Sequence, residues 1–478
     1  MRLLLLITGT AAASGCSLFT TDFTSCDVNA DCRGAFGIGS VCAADGFCEQ
    51  PQRFDRCEKA FPSNLLDDPL SERDRIVIGN LMDRSSTTHR ARENSAELAL
   101  GLANDEGGVA GREFGVVFCT IEENLEIDGL SRQEAAVASA RYLVDVIGVP
   151  AIIGPAASGD TQSVFQELDN NGDDVLVISP SATSNALTDL EPDPSDASPG
   201  LLWRTAPPDE IQGAAIVSDM LSPGDLRLNP VTNVAVVFEA GAYGDGLANG
   251  FAAAFQAQGG TVTLLRFDGD GQRSEAVTQA GLGNAEEVLF ISSQKDDVIA
   301  FLNAATVAGF DDKSIFLTDG GANDDVLSNA DPMRFPQVRG TRPAPLDENA
   351  DLVYANFLVS YSSGFGESAK PFSFTANAYD AAWLVGYGTT WAHFQEAGVV
   401  SGTNIARGLR RLSSGEAIDI LPTSWNTVQN RFESGNGINV RGASGALDYD
   451  PVTEETVADI EVWRIANSQI TGIYVFEQ

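Results

Sequence analysis

Twice along this chain, short aliphatic runs of strand length alternate with stretches of helical periodicity, and this repeated rhythm limits the fold more than any other feature. Residues 75–81, Arg-Ile-Val-Ile-Gly-Asn-Leu, read as a buried strand, and 91–105 follow with Ala96, Leu100 and Ala103 on one helical face. Gly107 and Gly108 stop that helix. A second strand is predicted over 114–119, and the spacing of Ala136, Ala140, Leu143 and Ile147 predicts a helix before strands at 151–153 and 175–178. After Arg204 and Thr205 the pattern restarts, with strands expected at 234–238, 262–267, 288–291 and 315–317. Strands alternating with helices require right-handed crossovers and a mainly parallel sheet. Two such series predict an α/β protein of two lobes, and a cleft between lobes suits the loops discussed below better than one large sheet does.

With 478 residues, 43% of them hydrophobic and 8% aromatic, the chain can bury more than one core. Its formal net charge of -38, from 29 Lys+Arg against 67 Asp+Glu, repels phosphate backbones and anionic headgroups and so argues against nucleic-acid binding. Acidity of this kind reads first as solubility; attraction of a cationic ligand is the sharper alternative, but net charge locates no site.

The first residues carry one positive charge at Arg2 and short apolar runs at 3–7 and 11–13, then Ala13-Ser14-Gly15-Cys16. Small residues immediately before a cysteine look like a bacterial lipoprotein signal, with 1–15 removed and lipid on Cys16 as the membrane attachment. An ordinary signal peptide is the alternative. The apolar stretch is too short to span a bilayer.

Removing Cys16 from the seven cysteines leaves an even six, as an oxidising compartment favours. Cys26, Cys32, Cys42 and Cys48 lie in a module, 26–48, too small to fold on an apolar core. No histidine or C-x-x-C pair stands nearby, so disulfides are expected there in place of zinc, with connectivity left open. Cys57 precedes the first predicted strand and Cys119 ends the second, and a bridge between them is expected to pin the incoming chain to the sheet edge.

Several segments together resemble the type I periplasmic binding proteins, and within them the leucine/isoleucine/valine-binding group. They are Asn104-Asp-Glu-Gly-Gly-Val-Ala-Gly-Arg112, Ile152-Ile-Gly-Pro-Ala-Ala-Ser-Gly159, Ile178-Ser-Pro-Ser-Ala-Thr183, Trp203-Arg-Thr-Ala-Pro207, Tyr243-Gly-Asp-Gly-Leu247 and Ala378-Tyr-Asp-Ala-Ala382. The resemblance implies two Rossmann-like lobes joined by a three-strand hinge, behind the small disulfide-rich segment. It divides the chain into a lipid-anchored spacer, 16–69, an N-terminal lobe of 70–205 plus 343–459, and a C-terminal lobe of 206–342 plus 460–478.

Candidate ligand-binding residues follow from both arguments. Ser158 and Gly159 sit where a strand passes into a helix, leaving free backbone N–H groups beside a hydroxyl. Ser181, Ala182 and Thr183 repeat that arrangement after the next strand, at the sheet edge where open α/β proteins bind ligands. Helix capping is the plainer use of these residues. The resemblance implies that these loops grip the carboxylate of an amino acid, that Asp319 meets its ammonium group, and that Tyr243 and Phe374 cover it. A half-buried packing role for the aromatics and a turn role for Asp319 are the alternatives.

The loop 82–90 is polar and free of glycine, which departs from the family pattern and turns the expectation from branched-chain amino acids toward a more polar solute, with Arg84 or Arg90 available to an acidic one. The only histidines are His89 and His393, and neither G-x-S-x-G nor H-E-x-x-H occurs, so no enzyme, cofactor or metal is expected. The implied function is solute binding in the cell envelope, facing the periplasm or cell surface, for an ABC permease or a sensor. A regulatory lipoprotein that binds an envelope protein is the alternative.

Overall fold

The computed structural model describes residues 25–50, 53–123, 128–191, 193–222, 230–307 and 309–477. Cys16 and the expected export signal, residues 1–15, lie outside the described residues.

The first lobe is built on a six-stranded sheet of β3 (Lys59–Phe61), β4 (Ile76–Met82), β5 (Phe114–Thr120), β6 (Ala151–Ile153), β7 (Leu176–Ser179) and β8 (Leu202–Arg204), in the order β3-β5-β4-β6-β7-β8. All neighbours run parallel except β3, which pairs antiparallel with β5. All seven residues of β4 are buried, as a strand covered on both faces by helices requires. The helices on this sheet include α2 (Thr87–Asp105), α3 (Arg132–Arg141), α4 (Ser158–Asn171) and the short α5 (Asn185–Thr188).

The second lobe has a seven-stranded sheet. It holds β9 (Asn233–Glu239), β10 (Thr261–Phe267), β11 (Glu287–Ile291), β12 (Ser314–Leu317) and β13 (Val338–Pro343), joined by β17 (Ile460–Ala466) and β18 (Gln469–Phe476). The order is β10-β9-β11-β12-β13-β17-β18, parallel as far as β13 and antiparallel beyond it. Its helices are α6 (Asp209–Leu221), α7 (Ala242–Ala257), α8 (Asp270–Leu282), α9 (Lys295–Ala305) and α10 (Asp324–Asn329).

After β13 the chain returns to the first lobe. There α11 (Leu352–Phe365), α12 (Thr375–Gln395), α13 (Gly402–Leu409) and α14 (Trp425–Glu433) pack beside a small sheet of β14 (Glu416–Asp419), β15 (Ile438–Gly442) and β16 (Gly445–Ala446). The chain therefore passes between lobes three times, after β8, after β13 and before β17. α12 is buried on every face, and Tyr379, Trp383 and Tyr387 join one core with Ile78, Leu100 and Phe114 of the first sheet and α2. A helix apolar all round must be enclosed in this way. Hydrogen bonds between the lobes run from Ser184 Oγ to the Ala242 carbonyl (2.7 Å), from Thr87 Oγ1 to Asp325 Oδ2 (2.9 Å) and from Arg132 Nη1 to Gln294 Oε1 (3.1 Å).

The expected strands are present, each within about a residue of its predicted ends, but two features differ. α2 begins at Thr87, four residues before the apolar face starts, because Ser86 caps it by accepting from the His89 N–H (3.4 Å). β3, three residues long, is too short for periodicity to show; it is the incoming chain itself, paired as an edge strand beside β5.

Two bridges, Cys26–Cys42 and Cys32–Cys48, close the cysteine-rich module around α1 (Asn29–Phe36) and the hairpin of β1 (Val41–Cys42) and β2 (Cys48–Glu49). The module is not a detached bead. Ile38 packs in one cluster with Leu65, Val77, Leu143 and Ile147, and Asn29 Nδ2 donates to the Asp145 carbonyl (2.8 Å). Cys57 bonds Cys119, joining the approach to β3 to the end of β5 as expected. Among the described residues no helix is long and apolar enough to cross a membrane.

Replacing both Cys57 and Cys119 with serine frees a loop with a sequence separation of 62. This change is expected to lower the unfolding free energy by about 2–4 kcal/mol in urea titrations under oxidising conditions.

Candidate functional site

The carboxyl ends of β6 and β7 lie side by side, and the loops leaving them form one wall of an interlobe cavity. Gly154, with φ +98°, turns the chain out of β6 against the Leu81 carbonyl; a Cβ there would stand 2.3 Å from that oxygen, so only glycine fits. α4 then starts at Ser158, and its N-cap, Ala157, has no side chain able to satisfy the free N–H groups of the first turn. The Ser158 Oγ accepts from the N–H groups of Thr183 and Ser184, both at 3.2 Å, which leaves its own O–H to donate. Ser181 Oγ donates to the Ala156 carbonyl (2.9 Å) and accepts from Arg92 Nη1 (2.9 Å). The Thr183 hydroxyl stands beside the Asp209 carboxyl.

The second lobe supplies the facing wall. Tyr243, in the first turn of α7, is 6% exposed. Asp319 follows β12, and its Oδ1 accepts from Gln212 Nε2 (2.7 Å), which also donates to Thr341 Oγ1 (3.1 Å). Loss of water raises the Asp319 carboxyl to about 7, with Asp209 adding to the rise and Arg92 opposing it. Asp209 is likewise raised to about 7, chiefly by burial. Burial, then Asp319 and Asp209, hold the Tyr243 phenol well above its ordinary value.

The cavity measures about 260 Å3. Six residues singled out from the sequence line it: Ser158, Ser181 and Thr183 from the β6 and β7 loops, Phe374 from the approach to α12, and Tyr243 and Asp319 from the other lobe. Gly159 and Ala182 stand behind the lining. A Cβ on Gly159 would meet Gln133 of α3, while the Ala182 side chain is fully buried and its N–H is held by Ser179 Oγ (3.0 Å). Phe374 adopts a left-handed backbone, φ +60°, and its ring centroid lies 5.1 Å from the Arg92 guanidinium carbon.

The two arginines offered by the first loop point elsewhere. Arg84 Nε pairs with Glu93 (3.3 Å), and Arg90 Nη1 donates to the Arg84 carbonyl (2.6 Å). Arg92 faces the cavity instead, with His89 and Ser85. His89 and Arg92 fall at i and i+3 on one face of α2, and Ser85 lies just before its N-cap. A helix begun at Thr87 holds both His89 and Arg92, whereas one begun at 91 separates them. Desolvation, then Arg92, Arg132 and Lys295, hold His89 well below the usual imidazole range, so it is neutral at pH 7.

Together these groups make a polarised cavity. With Asp83 paired to Arg132 and Lys295 paired to Asp325, the first lobe is left presenting the N–H groups of the first turn of α4 and the Arg92 guanidinium, and the second presents the Asp319 carboxyl and a phenol. A small molecule with a carboxylate at one end and a cation at the other matches that polarity.

A family model described as periplasmic binding protein matches residues 75–431. The Leu/Ile/Val-binding protein homolog 3 of Brucella melitensis biotype 1 is 29% identical over 204 residues, 41% of this chain and 48% of that protein. The chain thus spans about half the length of the curated relatives it matches, where the second, BraC3 of Rhizobium johnstonii, is also covered over 48%. Among solved structures, the leucine binding protein LivK of Thermotoga maritima superimposes with a TM-score of 0.65 at 19% identity, covering 84% of this chain and 98% of the other. LivJ of Streptococcus pneumoniae, in complex with isoleucine, gives 0.63 at 20% identity, covering 84% and 100%. With two lobes, three crossings and a model match over most of its length, the chain belongs to the periplasmic binding protein family.

Proposed function

We propose that this protein is an extracytoplasmic solute-binding lipoprotein that closes its two lobes on a small polar ligand, an amino acid or a related compound, for ABC-type uptake or sensing. One observation carries the reading: the interlobe cavity is lined from one side by the β6 and β7 loops and from the other by Tyr243 and Asp319. The names of the relatives, which are amino-acid-binding proteins, support it. In this reading lipid on Cys16 holds the protein at the membrane. The two moving bodies are 70–205 with 343–459 and 206–342 with 460–478.

The ligand docks on the first lobe, where α4 and the Ser158 hydroxyl offer donors to its carboxylate. Rotation about the three crossing segments then brings Asp319 and Tyr243 over its other end. Closure is stabilised by the contacts that only the closed form makes, and a membrane partner reads that form. Binding leaves the ligand chemically unchanged.

Replacing both Ser181 and Thr183 with alanine is expected to abolish ligand-induced thermal stabilisation in a screen of amino acids, amides, sugars and small peptides. Undiminished stabilisation in the double variant would exclude these loops as the site. Mass spectrometry of gently purified protein provides a second check: a cleft repeatedly empty, with an envelope protein retained, would favour the interaction role.

The raised Asp319 carboxyl gives a pH test. An ammonium group binds the ionised form, so affinity for a cationic ligand is expected to weaken as pH falls below about 7, by up to about tenfold per unit. The Asp319→Asn variant should bind more weakly and show a flatter profile. Calorimetric titrations at pH 5.5, 6.5 and 7.5 measure both.

A further inference from the structure

Arg92 brings a guanidinium into the cavity with no anion bonded to it. The side chain is 6% exposed. Nε donates to the Ser373 carbonyl (3.0 Å), Nη1 to Ser181 Oγ (2.9 Å) and Nη2 to Ser373 Oγ (3.2 Å), and the fourth neighbour is the Phe374 ring. All of these partners are neutral.

The other buried arginines among the described residues are all paired. Arg56 meets Asp128, Arg204 meets Glu455, Arg334 meets Asp311, and Arg339 meets both Asp219 and Glu287. A buried charge without a counter-ion is costly, and a fold that pairs the rest has a use for the one it leaves open. Desolvation lowers the Arg92 guanidinium to about 9, and Asp319 acts on it only through space. Ser181, Ser373 and the ring hold the plane of the group while it waits for an oxyanion.

The rest of the wall narrows the chemistry. Among the described residues no leucine, isoleucine, valine or methionine lines the cavity; its carbon-rich surface comes from Ala156, Ala157, Tyr243 and Phe374. Around them stand Asp83, Ser85, His89, Gln294 and Asn323. The His89 Nδ1 is buried and has no hydrogen-bond partner. Asp83, Ser85, Gln294 and Asn323 hydrogen-bond within the walls, but a branched aliphatic side chain would leave His89 Nδ1 and the open face of Arg92 without a partner, and burying unpaired polar groups is costly.

We infer that Arg92 is an anion-binding residue of this cleft, and that the cargo is a carboxylate whose other end makes hydrogen bonds: a polar or acidic amino acid, not an aliphatic one. The inference rests on the solute-binding reading and sharpens it.

Calorimetric titration of the full chain with L-glutamate, L-glutamine, L-leucine and L-glutaminamide tests it, using Arg92→Met and Arg92→Lys as variants. At least one of glutamate and glutamine should bind ten times more tightly than leucine, and glutaminamide, which lacks the α-carboxylate, should not bind. Arg92→Met should weaken the polar probe about a hundredfold, with partial recovery in Arg92→Lys, where a point charge returns without the planar fork. A separate readout needs no ligand: an open cation kept for binding predicts that unliganded Arg92→Met melts no lower than the wild type. Leucine binding as tight as that of the polar probes, unchanged affinity in Arg92→Met, or a marked loss of its unliganded melting temperature would each overturn the inference while leaving solute binding intact. A wild type that binds none of the four probes would overturn this inference, and silence in the wider thermal screen would remove the solute-binding reading as well.

Discussion

The enclosure of α12 holds the rest of this structure in place. It lies against α2, α13 and α14, and its rings interlock with Trp425, which donates its indole N–H to the Gly108 carbonyl (2.9 Å). Its burial sets α2 beside it and the segment leading into its first turn, Ser373 and Phe374, against Arg92. The position of the guanidinium is thus decided by helix packing in the first lobe. That is a stiffer support than a surface loop, and precise recognition needs such support.

The polarity of the cleft has the same origin. Parallel strands deliver their carboxyl ends, and with them the first turns of their helices, to one edge of a sheet. Here α2 and α4 bring N-terminal turns to the cavity from one lobe, and the turn after β12 brings Asp319 from the other. Two carboxyls raised to about 7, at Asp209 and Asp319, show how strongly the enclosure disfavours unpaired charge even on this acidic chain.

The fold was largely legible in the sequence because its signals are local and repeated. Strand runs and helical periodicity marked both sheets, and the Cys57–Cys119 bridge followed from where those residues fall relative to two strands. The site was legible only in part. Ser158, Ser181, Thr183, Tyr243, Asp319 and Phe374 follow strand ends or start helices, positions a pattern can find, and they line the cavity. Arg92 was missed because its role depends on what surrounds it: an arginine on a helix reads as surface until packing removes its water. The direction in which Ser181 spends its hydroxyl, toward Arg92 and the Ala156 carbonyl, is likewise a product of packing. The edge strand β3 is too short to carry a period, and the close docking of the cysteine-rich module rests on scattered contacts, Ile38 in the apolar cluster and Asn29 at the Asp145 carbonyl, which no periodicity announces.

The triple passage between lobes also sets an order of events for the nascent chain. The first lobe's core needs Trp383 and Trp425 beside Phe114, so it remains open until the whole second sheet up to β13 has been made. The second sheet in turn gains β17 and β18 only from the last strands of the chain. Neither half can mature by itself as it emerges, and contacts this distant in sequence close slowly. The arrangement that gives the hinge its three connections therefore ties the completion of each lobe to segments that lie beyond the other lobe in the sequence.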